Sequence, residues 1–357
     1  MKKLIIKSLA LLLFACTSNT YSQTLISYKD PNIHYMGRVG MKDDAAELTW
    51  SASSVVINFS GTGAKATLKD DSGFDLITVV VDDKVVTAIQ PTVDKKEYAL
   101  VSGLPAGPHK LELFKRTEYD MGKLFFYSFD IAGKLLPPPV YKHRMEFYGN
   151  SITCGYAIED KEGKDRGTYQ FVNAYKSYAN LTARHLNADY NSISKSGIGI
   201  TISWFNYVMP DIYNRLAAKD PKVLWDFSKY TPEVVVVNLF QNDSWLVKNF
   251  EHEQFKARFG TTAPTPEFII KSYQNFISKI RAEYPKAKII CALGSMDATK
   301  DGAPWPGYIE KAVARLKDKG IYTHFFPYKN TPGHPNEKEQ QVMANELIGF
   351  IEKKMKW

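Results

Sequence analysis

Three consecutive prolines, Pro137 to Pro139, constrain what this chain can fold into more than any other feature. Each lacks a backbone N–H and fixes φ at about −65°, so the run can continue neither a sheet nor a helix and reads as an extended connector. The sequence changes rhythm across it. From 28 to 136, short runs such as SSVVINFSG, FDLITVVVDDKVV, KKEYALVSGL and GPHKLELFKRTE alternate apolar with polar residues and are separated by Gly, Asp, Asn and Pro. That pattern predicts an all-β antiparallel sandwich. After a linker at 137–143, continuous apolar runs at 144–149, 189–193, 233–239, 288–293 and 321–326 alternate with helical patterns. Helices are expected in FVNAYKSYANLTARHLNA, PEFIIKSYQNFISKIRAEY and NEKEQQVMANELIGFIEKKM, whose apolar residues recur three or four apart. Strands buried on both faces with helices between them predict a parallel, doubly wound α/β sheet over 144–357.

The first 22 residues read as an export signal: Lys2, Lys3 and Lys7, an apolar core, then small and polar residues up to Ser22. The core is too short for a membrane-spanning helix, which needs about 20 apolar residues. The mature protein is therefore expected outside the cytoplasm, periplasmic, secreted or at the cell surface, without a transmembrane helix. Leu13-Phe14-Ala15-Cys16 also resembles a bacterial lipobox, which offers Cys16 as an alternative point of lipid attachment. The formal charge is +8, of which the three signal lysines account for three, leaving +5 without a Lys/Arg block. Nucleic-acid binding, which needs a clustered basic footprint, is not expected. Cys154 and Cys291 lie in segments without metal-type spacing and read as small buried thiols, so no metal site is expected.

In an open α/β sheet, sites form beyond the carboxyl ends of the strands. Four polar segments fall there: GNS after the first strand, SKSGIG after the second, FQNDSW after the third and YKNTPGHP after the fifth. A serine hydroxyl needs a base to take its proton, and the oxyanion it generates needs donors already aimed at it. Ser151 offers a hydroxyl and its own N–H, Gly197 an N–H approachable without a Cβ, Asn242 a side-chain NH₂, and His334 an imidazole. Each has a plainer reading: Ser151 as a helix cap, Gly197 as a turn glycine with Gly199 competing, Asn242-Asp243 as a capping pair. Of the seven histidines, only His334 occupies the last loop at this sheet edge. Together the four form a candidate nucleophile, base and oxyanion hole.

In this order the residues resemble the SGNH (GDSL-type) hydrolases. More narrowly, FYGNSITCGYA, SYANLTARHLNADYNSISKSGIGI, MPDIYNRL, PEVVVVNLFQND and HPN…QQVMANEL resemble carbohydrate esterase family 2. That resemblance implies an N-terminal jelly-roll-like sandwich followed by an SGNH domain with a flavodoxin-like parallel sheet. It implies removal of acetyl groups from plant polysaccharides such as xylan, mannan or glucomannan, with no metal or organic cofactor. Rival readings are an SGNH esterase or lipase on other acyl esters, and a catalytically silent carbohydrate-binding homologue. Trp204, Trp245 and Trp305 lie in loops near the same edge and are candidate sugar contacts. Two positions depart from the family pattern. Phe240 stands where the third block usually has glycine, and its ring is expected to narrow or reshape the substrate pocket. Thr331 stands where many SGNH enzymes carry the Asp that orients the histidine, leaving Asn330, Thr331 or a main-chain oxygen to do so.

Overall fold

The computed structural model describes residues 22–357. The export-signal and Cys16 readings fall outside the described residues. The antiparallel half holds β1 (Gln23–Ser27), β2 (His34–Met36), β3 (Val39–Met41), β4 (Ala46–Leu48), β5 (Ser54–Asp70), β6 (Ile77–Val81), β7 (Lys84–Ile89), β8 (Lys96–Val101), β9 (Gly107–Lys115) and β10 (Leu124–Leu135). Its pivot is β5. The first part of this strand pairs with β2 and β9, and the later part with β8 and β10. One long strand is thus shared between two arms of the sheet. Gly61 and Gly133 face each other where β5 passes β10; a Cβ on either would lie within 2.2 Å of the other strand's carbonyl oxygen. Glycine is what permits so close a passage. Val55, Ile57, Phe59, Leu68, Leu113, Phe126 and Phe129 fill the space between the arms. β1 lies before position 28, where the alternating pattern was expected to begin, and pairs with β10; a lone five-residue strand beside the polar segment that precedes it carries too little pattern to be read.

Residues 136–142 carry no strand or helix. The parallel half follows with β11 (His143–Gly149), α1 (Ser151–Cys154), α2 (Tyr178–His185), β12 (Ala188–Ser194), α3 (Met209–Ile212), β13 (Val234–Asn238), α4 (Gln241–Leu246), α5 (Glu253–Phe259), α6 (Pro266–Glu283), β14 (Lys288–Leu293), α7 (Trp305–Leu316), β15 (Ile321–Phe325) and α8 (Glu337–Met355). The strand order is β12-β11-β13-β14-β15, all parallel. This is the flavodoxin-like 2-1-3-4-5 order, whose switch point lies at the first strand. The helix expected through 171–188 is shorter, because Asn173 caps a separate 3₁₀ turn and α2 starts only at Tyr178. Cys154 and Cys291 are both buried free thiols. No helix among the described residues is long and apolar enough to cross a membrane.

A buried ion pair joins the two halves. Arg38, between β2 and β3, enters the parallel half and reaches Glu146 of β11 at 3.3 Å, both side chains fully buried. The guanidinium also donates to the carbonyls of Tyr213 and Arg215 and to the Tyr148 hydroxyl. Glu146 accepts from Tyr148, Tyr284 and Asn191. Burial opposes the charge on Arg38, but Glu146 offsets it, so the guanidinium stays charged. Removing one member of such a pair leaves the other stranded, at a cost of about 3–5 kcal/mol. Arg38→Met is therefore expected to lower stability by about 3–5 kcal/mol in equilibrium denaturant unfolding; an unchanged unfolding midpoint would show that this pair does not hold the halves together.

Candidate active site

The GNS segment folds as it does for three separate reasons. Gly149 ends β11 so close to α1 that a Cβ would sit 2.0 Å from the Thr153 Oγ1. Asn150 is the helix cap, its side chain accepting from the Ile152 N–H at 3.1 Å. Gly155, left-handed at φ 68°, ends the turn. Ser151 is therefore not the cap. It is the first helical residue, and its hydroxyl is left for another partner.

That partner is His334. Its Nε2 lies 2.9 Å from Ser151 Oγ across 183 residues of sequence. Two anchors hold the loop that carries it. Asn336 and Glu339 form a capping box at the start of α8. Buried Gln340 donates to the Ile152 carbonyl at 3.0 Å and accepts from the Tyr178 N–H at 2.7 Å, tying α8 to α1 and α2.

The group that orients His334 is not Asn330, Thr331 or a main-chain oxygen. It is Asp165, whose oxygens lie 2.9 and 3.0 Å from Nδ1 and whose Oδ1 also accepts from the His334 N–H at 2.9 Å. The Thr331 hydroxyl is engaged elsewhere, donating to Glu339 and accepting from Lys329. Hydrogen bonds from the His334 ring hold the Asp165 carboxyl below the usual carboxylate range, against partial burial, with the His334 N–H helping. A carboxylate can only accept, so Nδ1 carries the ring proton and Nε2 is left to accept from the Ser151 hydroxyl. Gly333, at φ 68°, leaves room for this approach; a Cβ there would lie 3.0 Å from the Asp165 carboxyl carbon. The sequence hid Asp165 because DKEGKDRG, 160–167, reads as a solvated loop of mixed charge.

The second and third segments meet beside Ser151. Lys195 N–H donates to the Gly149 carbonyl at 3.2 Å, which joins the 195–203 loop to the nucleophile's strand end. Gly197 has φ 82°. Among the described residues, the N–H groups of Ser151 and Gly197 donate to no protein acceptor. Asn242 is buried; its NH₂ donates to the Ile198 carbonyl at 2.8 Å and its oxygen accepts from Trp204 Nε1 at 3.0 Å. The indole thus fixes which way the amide faces and leaves one N–H uncommitted. Buried Asp243 gathers the Ile200, Thr201 and Ile202 N–H groups and the Thr201 hydroxyl. Burial pushes its carboxyl up while these donors pull it back. Gly199 lies against it, where a Cβ would meet Asp243 Oδ2 at 2.4 Å.

The aromatic candidates divide. Trp204 is 45% exposed beside Asn242, and half-buried Trp245 donates to Asp297 at 2.8 Å. Trp305 is buried to 2% and Phe240 to 0%, their rings 5.1 Å apart and Phe240 also 4.7 Å from Tyr273. Both rings, expected as substrate contacts, pack in the hydrophobic core. Phe240 does explain why glycine suits its position. It precedes α4 at φ 88°, a left-handed conformation that costs a non-glycine residue about 1–2 kcal/mol. Burying a phenyl ring outweighs that cost. Among the described residues no group of three or more His, Cys, Asp or Glu side chains could hold a metal ion.

A hydroxyl, an imidazole and a carboxylate in line at the carboxyl edge of a flavodoxin-like sheet define the class, the GDSL-like acylhydrolases. Residues 35–139 match the model for the carbohydrate esterase 2 N-terminal region, and 147–339 that for the GDSL-like lipase/acylhydrolase family. The chain is 34% identical to a family two carbohydrate esterase from Clostridium thermocellum, solved in complex with cellohexaose, at a TM-score of 0.81 over 91% of this chain and 99% of that one. The chain belongs to carbohydrate esterase family 2, a family of carboxylic ester hydrolases. It is also 35% identical to the cellulase/esterase CelE of Acetivibrio thermocellus over 92% of its own length, spanning 40% of that protein. An acetylxylan esterase / glucomannan deacetylase of Cellvibrio japonicus is 27% identical, with 97% of this chain and 96% of that protein covered.

If the Phe240 ring supports the core and not the substrate pocket, Phe240→Gly trades about 3–5 kcal/mol of lost ring burial for about 1–2 kcal/mol of relieved strain. Thermal unfolding is expected to show a net loss of about 1–4 kcal/mol, with KM for an acetyl ester within about twofold of the original. A large shift in KM with unchanged stability would return Phe240 to the pocket wall.

Proposed function

We propose that this protein is an exported carbohydrate esterase that removes O-acetyl groups from plant cell-wall polysaccharides such as xylan, mannan or glucomannan, through a serine acyl-enzyme. The observation that carries the reading is the 2.9 Å contact between His334 Nε2 and Ser151 Oγ, with Asp165 behind the imidazole. The substrate class is supported by the relatives, an acetylxylan esterase / glucomannan deacetylase among them.

As His334 Nε2 takes the hydroxyl proton, Ser151 Oγ attacks the acetyl carbonyl. The imidazolium that results is stabilised by the Asp165 carboxylate. The tetrahedral oxyanion is received by the Ser151 and Gly197 N–H groups and the free N–H of the Asn242 amide. Donors fixed before the reaction are worth more than mobile water, and losing one typically costs about 10²–10³ in turnover. His334 then passes its proton to the departing sugar alkoxide. Water, deprotonated by the same imidazole, attacks the acetyl-enzyme, releases acetate and restores Ser151. Trp204 orients Asn242 through its indole N–H and leaves its exposed ring for a sugar face.

The test is acetate release from acetylated xylan, acetylated mannan and p-nitrophenyl acetate. Ser151→Ala is expected to abolish release from all three; activity surviving that change would remove Ser151 as nucleophile. A preference for long-chain acyl esters over acetylated sugars would favour the lipase reading. Asp165→Asn replaces an acceptor with an NH₂ at Nδ1 and so favours the wrong tautomer. It is expected to lower kcat by roughly 10²–10⁴ with little change in KM. A loss below about threefold would make Asp165 a bystander.

A further inference from the structure

The Lys195–Ile198 segment is a tight turn, with the Ile198 N–H donating to the Lys195 carbonyl at 3.2 Å and Gly197 third at φ 82°. A positive φ at the third residue is the mark of a type II turn. Types I and II differ mainly by a flip of their central peptide, here the one between Ser196 and Gly197. The Gly197 N–H belongs to that peptide. Whatever holds the second residue of this turn in place also steadies the direction in which this donor faces.

Both donors of Ser196, the second residue of the turn, are held by one carboxylate. Glu118 accepts from the Ser196 N–H at 2.8 Å through Oε2, and from the Ser196 hydroxyl through Oε1. Glu118 is 1% exposed and lies between β9 and β10, in the antiparallel half. Its own backbone is fixed in turn. The buried Lys115 ammonium donates to the Glu118 carbonyl at 3.1 Å and pairs with Asp75 at 2.7 Å. Two residues on, Asp120 pairs with Lys195 at 2.6 Å, so the first residue of the turn is held from the same segment. Hydrogen bonds to a buried charge are about twice as strong as neutral ones.

We infer that Glu118 is a positioning residue for the oxyanion hole, and that the antiparallel half is thereby part of the catalytic apparatus. The inference rests on the reading of Gly197 as an oxyanion donor. Glu118 does not approach the reacting atoms; it acts through Ser196 on the peptide that carries the Gly197 N–H. A carboxamide in its place offers one acceptor oxygen where two are used and leaves one Ser196 donor without a partner, so the residue that precedes the Gly197 N–H is held less firmly and that donor is aimed less accurately.

The test uses the full chain with p-nitrophenyl acetate as substrate and phenylboronic acid as a tetrahedral-adduct mimic. Glu118→Gln is expected to lower kcat by roughly tenfold or more, since a donor is misaimed and not deleted. KM should stay within about twofold and boronate affinity should fall in step with kcat. Lys195 keeps Asp120 as partner, so the variant is expected to fold. Ser196→Ala, which removes one of the two donors, should show a smaller loss of the same kind and decides the matter alone if Glu118→Gln does not fold. Unchanged kcat and boronate affinity, or a drop in kcat that boronate affinity does not follow, would overturn the inference. The two readings fail separately: an inactive Ser151→Ala beside a fully active Glu118→Gln contradicts only the role of Glu118, whereas an active Ser151→Ala contradicts the acyl-enzyme itself.

Discussion

Asp165 grips His334 at two points, the ring Nδ1–H and the main-chain N–H, and everything at the site depends on that grip. A neutral imidazole has one proton and two nitrogens. Which nitrogen carries the proton decides whether the other can receive one from Ser151. A carboxylate facing Nδ1 settles the choice before any substrate arrives. Its partial burial strengthens the interaction while leaving enough solvent to keep the acid ionised, in keeping with a carboxyl held below its ordinary range.

The same device, a carboxylate gathering donors, recurs one layer out. Asp243 collects three N–H groups and a hydroxyl from 200–202, and Glu118 collects both donors of Ser196. Between them they fix the polar backbone of a loop whose Ile198, Ile200 and Ile202 side chains are buried in the core. Arg38 and Glu146 provide the larger frame, holding the antiparallel half against β11 so that a residue such as Glu118 arrives where it is needed. These buried charges cost solvation, and the return is accuracy of placement more than stability.

Much of this was legible in the sequence, for a definite reason. Parallel strands buried on both faces show themselves as apolar runs, and the sheet rule then limits candidates to the residues just after each run. Ser151, Gly197, Asn242 and His334 all follow from those two steps, and the structure brings their segments to one edge. What escaped has physical causes as well. Asp165 lies in a long connection after α1, amid alternating charges that look solvated, and nothing local says that the chain folds back onto the fifth-strand loop. Glu118 belongs to the other half of the molecule, and its contact with Ser196 is a fact of docking. Phe240 reads as reshaping the pocket only because it stands where the family pattern usually has glycine; a left-handed backbone turns its ring into the core. Trp305, placed in a loop by the sequence pattern, is the first residue of α7 and packs against Phe240.

The most direct measurement is the tautomer of the neutral His334 imidazole in the resting protein, by nitrogen-15 NMR of selectively labelled histidine. The account requires Nδ1 to carry the proton, with a low-field resonance from its hydrogen bond to Asp165, and Nε2 to be unprotonated. A proton on Nε2 of the neutral ring would leave Ser151 without an acceptor and contradict the account at its base.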